Sequence, residues 1–310
     1  MEKNYWKPIR IFLNELDVLQ PEKTDAQKRI NSSLPVKACL FDVYGTLLIS
    51  ASGDIDQADF SNSSLEYAMD KSGISLISGD EDDQDLQQNM LKAFKNAIKL
   101  THEQKKEQGI PFPEVDFVHI WEAVLRRYAD AGRLCLHSEA NIMKFTFLFE
   151  LMSNKLYPMP NMQEVIEIFN QQRFPLGIIS NAQFFTPMLM NYFLNNELKE
   201  GTDIAQFNSD LVEFSYLKGR AKPDLLLFEE LKNRLKKRYG IDAKETLYVG
   251  NDMYNDILPA SQAGFQTVLF AGDRRSLRWR ADMHEMKNVE PDHVILELTD
   301  LLAIAGIEYS

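Results

Sequence analysis

The chain has 310 residues, 45% hydrophobic and 26% charged, an ordinary composition for a globular protein with room for one large domain or two modest ones. A formal charge of −12 argues against a nucleic-acid partner, because a phosphate backbone selects a basic face. No stretch is long and apolar enough to span a bilayer and Met1–Gln20 holds no signal-peptide core, so we expect a cytoplasmic protein with no membrane partner, and Cys39 and Cys135 as reduced core residues.

In chain order, residues 1–35 read as an N-terminal appendage, a helical stretch and then the polar loop QPEKTDAQKRINSSLP, to which no chemistry attaches. Residues 36–41, VKACLF, are an apolar run suited to a buried strand. From 51 to 154 the spacing turns helical. Leu86, Met90, Leu91, Phe94 and Ile98 share one helical face, and Phe117, Trp121, Val124, Leu125 and Tyr128 share another. The stretch 139–157 is apolar nearly all round, as expected of a helix buried between neighbours. The acidic run GDEDDQD at 79–85 suits the first turn of a helix, and it lacks the turning glycine and terminal glutamate of a calcium loop.

Beyond residue 155 helices and strands alternate. Helices are predicted over 162–174, 223–240 and 254–264, and strands over PLGIIS (175–180), TLYVG (246–250) and QTVLF (266–270). Short connections between alternating elements predict an α/β fold with a doubly wound parallel sheet, built from 36–50 and 155–310 and interrupted by the helical insertion 51–154.

In open parallel sheets, ligands bind beyond the carboxyl ends of the strands. The residues at those ends are Asp42, Gly45 and Thr46 after the first strand, Ser180 and Asn181 after the second, and Gly250, Asn251, Asp252 and Asp256 after the third. Lys222 precedes a helix that Pro223 is suited to start. Asp42 on a rigid mount suits a nucleophile. Asp252 and Asp256 suit magnesium, and Lys222 suits neutralisation of both nucleophile and substrate. Thr46, Ser180 and the Asn181 amide suit hydrogen bonding to a transferred phosphoryl group, with Gly45 allowing a tight turn beneath it. The five histidines show no zinc-like pairing, and the basic cluster DRRSLRWR at 273–280 reads as a solvated helix face or, more sharply, as an anion-recognition patch.

Taken together, FDVYGTL, IISN, GRAKPD and YVGNDMYNDILPA resemble the four motifs of the haloacid dehalogenase-like hydrolase superfamily. The resemblance implies a Rossmann-like core carrying a helical cap domain at 51–154, and leaves residues 1–35 outside it. It implies that Asp42 is the nucleophile, that Thr46, Ser180 and Lys222 are the other catalytic positions, and that Tyr44, Gly45 and Asn181 contact the substrate. Asp42, the carbonyl of Tyr44, Asp252 and Asp256 match the magnesium ligands, with Asn251 an alternative to Asp252. The implied activity is a magnesium-dependent phosphohydrolase acting on a small phosphorylated metabolite through an aspartyl-phosphate intermediate. Tyr44 departs from the phosphatase pattern, which places a second aspartate there, and matches the Asp-x-Tyr-Gly-Thr of metal-independent 2-haloacid dehalogenases. Those enzymes use a cap arginine soon after the first motif, whereas no arginine occurs between Arg29 and Arg126. The alternatives are therefore a dehalogenase, or a catalytically degenerate protein that binds a partner.

Overall fold

The computed structural model describes residues 6–32, 34–52, 61–77, 83–138 and 140–309. In chain order they form α1 (Lys7–Asn14), β1 (Ala38–Phe41), β2 (Leu48–Ser50), α2 (Asn62–Lys71), β3 (Ile74–Leu76), α3 (Asp83–Glu107), α4 (Phe117–Asp130), β4 (Leu134–Leu136), α5 (Ile142–Ser153) and β5 (Leu156–Pro158). There follow α6 (Met162–Gln171), β6 (Leu176–Ser180), α7 (Thr186–Asn195), β7 (Val212–Phe214), α8 (Ser215–Lys218) and α9 (Leu225–Arg234). The chain closes with β8 (Thr246–Gly250), α10 (Leu258–Ala263), β9 (Gln266–Phe270), β10 (His293–Ile295) and α11 (Asp300–Ile304). Two compact units result, one of Met1–Asp17 with Asp56–Lys155, the other of Val18–Ile55 with Leu156–Ser310.

The second unit is built on a parallel six-stranded sheet in the order β10-β9-β8-β1-β6-β7. β1 lies in its interior, and all four of its residues are buried, which is why it reads as an unbroken apolar run rather than an alternation. Ala38, Leu40, Ile179, Phe228, Leu231 and Tyr248 belong to one core cluster, which includes residues of α9 and α10. The edge strands β7 and β10 went unpredicted because three residues are too few to show a period. The N-terminal stretch reaches the β10 edge at Arg29, which exchanges two backbone hydrogen bonds of 2.8 Å with Val294, and Thr24 Oγ1 donates to the Ala271 carbonyl just beyond β9. This pairing occupies a strand edge that would otherwise present unsatisfied amides.

The first unit is helical. α2, α3, α4 and α5 surround an aromatic cluster in which Trp121 stacks on Phe94 at 4.2 Å and meets Phe145 and Phe149 edge-on at 5.0 and 4.9 Å. α1 joins this unit through Trp6, whose ring meets Phe147 at 6.0 Å. A small hairpin, β3 with β4, carries Cys135, which is half-buried rather than in the core, whereas Cys39 on β1 is fully buried. The expected helix over 139–157 stops at Ser153. Asn154 turns to extended backbone, and Leu156–Pro158, which belongs to the second unit, pairs antiparallel with β2 of that same unit. Residues 79–82 of the acidic run lie outside the described residues.

Candidate functional site

The chain leaves β1 through a loop drawn tight by its own backbone. Asp42 N donates to the Val249 carbonyl of β8, the amides of Thr46, Leu47 and Leu48 donate to Val43, and Gly45 N donates to Leu48. Gly45 has φ +81°, and a Cβ there would stand 2.5 Å from Ser276 Cβ and 2.7 Å from Asn251 Nδ2. The glycine therefore serves a left-handed turn and a close approach of protein to protein. Asp42, fixed at the end of a central strand, is buried.

Lys222 unites two of the strand-end carboxylates. Its Nζ lies 2.6 Å from Asp42 Oδ1 and 2.5 Å from Asp256 Oδ1. Asp256 Oδ2 accepts hydrogen bonds from the amides of Asn251 and Asp252, both at 3.0 Å, and the Tyr248 hydroxyl lies 3.0 Å from Oδ1. Burial opposes the charge of Lys222, but Asp256 and Asp42 outweigh it and raise its pKa. Burial pushes the Asp256 carboxyl up to about 7, with Lys222 pulling the other way and Asp42 and Asp252 adding to the rise. Burial and then Asp256 lift the Tyr248 phenol well above its ordinary value. The helix after Lys222 begins at Leu225, capped by Asp224 Oδ1 on the Leu226 amide, so Pro223 precedes the cap and does not start the helix.

Asn181 and Ser180 end β6. The Asn181 side chain braces the lysine: Oδ1 accepts from Lys222 N at 2.7 Å. Ser180 Oγ is buried without a hydrogen-bond partner among the described residues. Such a group costs stability unless a ligand answers it. Thr46 Oγ1 donates to Asn251 Oδ1 at 3.1 Å, so its hydroxyl is engaged by the loop that carries the acidic motif. The Tyr44 hydroxyl lies 2.7 Å from Thr186 Oγ1 at the start of α7.

The acidic motif itself opens a wide helical turn, Met253–Ile257, which Asp252 caps by accepting from the amides of Tyr254 and Asn255. The same carboxylate takes a forked ion pair from Arg280, with Nη2 at 2.6 Å and Nε at 3.1 Å from Oδ2. Residues 273–280 are not the expected solvated helix. They form a strap, held at one end by buried Asp273, which binds Arg275, and hydrogen-bonded to the motif through Met253 N to Arg278 O and Arg278 N to Asn251 O. Ser276 adds to this: its carbonyl accepts from Asn251 Nδ2 at 2.7 Å. Arg280, Ser276, Tyr248 and Thr186 were absent from the sequence-based set. The basic cluster was the one available signal, and local sequence does not reveal that its partner is an aspartate 28 residues upstream.

The donors gathered here suit magnesium in kind. Asp42, the Tyr44 carbonyl, Asn251, Asp252 and Asp256 can each offer an oxygen, and with Asp256 ionised three carboxylates against Lys222 and Arg280 leave one uncompensated negative charge. Their present arrangement commits two of them elsewhere. Both oxygens of Asp252 are taken by Arg280 and the helix cap, and both oxygens of Asp256 by Lys222, Tyr248 and backbone amides. Accordingly no three His, Cys, Asp or Glu side chains among the described residues stand together as a metal-holding group.

Comparison with known proteins bears on this geometry. A family model for haloacid dehalogenase-like hydrolases matches residues 36–264. The chain is 26% identical over 189 residues to a glyceraldehyde 3-phosphate phosphatase of Pyrococcus abyssi, a match spanning 57% of this chain and 65% of that relative. Among solved structures, a 2-haloacid dehalogenase from Pseudomonas syringae pv. Tomato DC3000 aligns over 87% of this chain and 98% of its own, with a TM-score of 0.54 and 19% identity. A magnesium-bound hydrolase from Bacillus subtilis aligns over 88% and 100%, with a TM-score of 0.47 and 19% identity. No helix among the described residues is long and apolar enough to cross a membrane.

Proposed function

Because the chain belongs to the haloacid dehalogenase-like hydrolase family, we propose that it is a magnesium-dependent phosphohydrolase acting on a small phosphorylated metabolite through an aspartyl-phosphate intermediate. The observation that carries this reading is a buried carboxylate gripped by Lys222 at one strand end, with the Ser180 hydroxyl, which has no partner among the described residues, at the next. The phosphatase relative supports the same choice.

In this mechanism an Asp42 oxygen attacks phosphorus, and the bond from phosphorus to the leaving oxygen breaks. That oxygen departs with the electron pair and takes a proton from water. A second water then attacks the phosphorus of the aspartyl phosphate, which regenerates the Asp42 carboxylate and releases inorganic phosphate. Lys222 neutralises the nucleophile and the transferred oxygens, and Ser180 with the Asn181 amide donates hydrogen bonds as charge spreads over them. Asp42, the Tyr44 carbonyl, Asp256 and either Asp252 or Asn251 would hold the ion, which supplies positive charge against the phosphate dianion. Tyr44, bonded to Thr186 and carrying a phenol, is a poor base at neutral pH, so general acid–base help at that position is forgone. That loss is worth about 10² to 10⁴ in rate.

The charge of the site weighs against a metal-free dehalogenase. With Asp256 ionised, the excess negative charge repels the carboxylate of a haloacid, and the sequence has no arginine between Arg29 and Arg126 to receive that carboxylate. The test is phosphate release from an aryl phosphate, with and without magnesium, for the wild type and Asp42→Asn. Release that needs magnesium and vanishes in the variant supports the proposal. Release that survives both changes overturns it, and so does halide release from a 2-haloacid in the presence of a chelator.

A further inference from the structure

We propose that Arg280 is an internal competitor for the divalent cation: its guanidinium occupies Asp252, and the cation affinity of the site is set by how readily the arginine gives that carboxylate up. The proposal rests on the magnesium-dependent reading above and adds a residue to it.

Three observations point this way. The first is division of charge. Lys222 already pairs with both Asp42 and Asp256, and the remaining carboxylate of the cluster, Asp252, carries its own forked partner. A guanidinium matched to a carboxylate through two N–H donors is the strongest form of such a pair, and it uses the lone pairs a metal would need. The second is exposure. Asp252 is 8% exposed, but Arg280 is 32% exposed, so the arginine has solvent to move into while the aspartate stays fixed as the cap of the Met253–Ile257 turn. The third is backbone conformation. Arg280 has φ +52°, a left-handed setting that costs a residue with a Cβ about 1 kcal/mol and is kept where surrounding contacts impose it. The strap is hydrogen-bonded to Asn251 and Met253, and Ser276 holds the Asn251 amide, so the segment that aims Arg280 also positions the alternative oxygen ligand.

Removing a positive charge a few ångströms from a divalent ion strengthens its binding even at high effective dielectric, by about tenfold. Magnesium binding would be measured by titration calorimetry on the full chain for the wild type, Arg280→Gln and Arg280→Lys, with thermal unfolding of each. We expect Arg280→Gln to bind magnesium about tenfold more tightly. Arg280→Lys, which keeps the charge but loses the fork, should fall between it and the wild type. Arg274→Gln, which removes a surface pair with Glu22 on the same strap, should bind as the wild type does. Equal or weaker binding by the folded Arg280 variants overturns the competitor role while leaving the magnesium reading intact. Absence of binding by every protein overturns both. Should Arg280→Gln fail to fold, the lysine variant alone decides, since affinity equal to the wild type there refutes competition through the fork.

Discussion

Lys222→Met separates what the buried lysine does for stability from what it does for chemistry. The wild-type ammonium stands 2.6 Å from Asp42 and 2.5 Å from Asp256, with the lysine side chain 3% exposed. At an effective dielectric of about 20, each contact is worth about 6 kcal/mol of attraction before the cost of desolvation is subtracted. Taking the cation from a buried ion pair costs about 3–5 kcal/mol net, because the carboxylates stay behind uncompensated. Lys222→Met should therefore lower unfolding free energy by that amount. Adding Asp256→Asn should return about 1–3 kcal/mol, since the asparagine carbonyl still accepts the amides of Asn251 and Asp252 while the cost of holding Asp256 charged, or of protonating it, is gone. Neither variant should release phosphate, as both lack the cation beside Asp42. Urea denaturation followed by circular dichroism gives the stabilities, and phosphate release on the same samples gives the activity. A single variant within 1 kcal/mol of the wild type, or a double variant no more stable than the single, would refute the argument.

Ser180→Ala should cut phosphate release by about 10² to 10³ while leaving stability unchanged or raised by about 1 kcal/mol, because the hydroxyl has no partner to lose among the described residues. A loss of stability above 1 kcal/mol would show that the hydroxyl is structural. Gly45→Ala should destabilise by about 2–4 kcal/mol, from the left-handed backbone and from contact with Ser276 and Asn251, and should lower activity with it; unchanged thermal unfolding would contradict this. In the helical unit, burial pushes Glu150 from 4.5 up to about 8, and its Oε1 meets no partner among the described residues. The folded state then keeps a proton that the unfolded chain has released, so stability falls as pH rises from 4.5 through 8 and the penalty is complete above that. Glu150→Gln should flatten that slope and gain about 2–5 kcal/mol at pH 8.5, and denaturation curves showing no gain there would refute the shift.

The central strands and the polar residues that follow them were legible in the sequence for a physical reason. A strand buried on both faces is an unbroken apolar run, and the first polar residue after it marks the strand end, as Asp42 and Ser180 do. The edge strands were not legible, because Val212–Phe214 and His293–Ile295 are short and owe their conformation to the neighbours they pair with. The same holds for Arg29, whose backbone bonds to Val294 of β10 come from more than 250 residues downstream and leave no trace in local composition.

The order of residues determined the chemistry available: a nucleophile, a lysine, a serine and an acidic motif, each tied to its own strand or helix by short-range patterns. Tertiary structure decided who holds whom. It spent both oxygens of Asp256 on Lys222, Tyr248 and two amides, turned the Tyr44 hydroxyl toward Thr186, and brought Arg280 back to Asp252. These are pairings between charges and hydrogen-bonding groups far apart in the chain. Their strength depends on burial and distance, and neither quantity exists until the sheet has assembled.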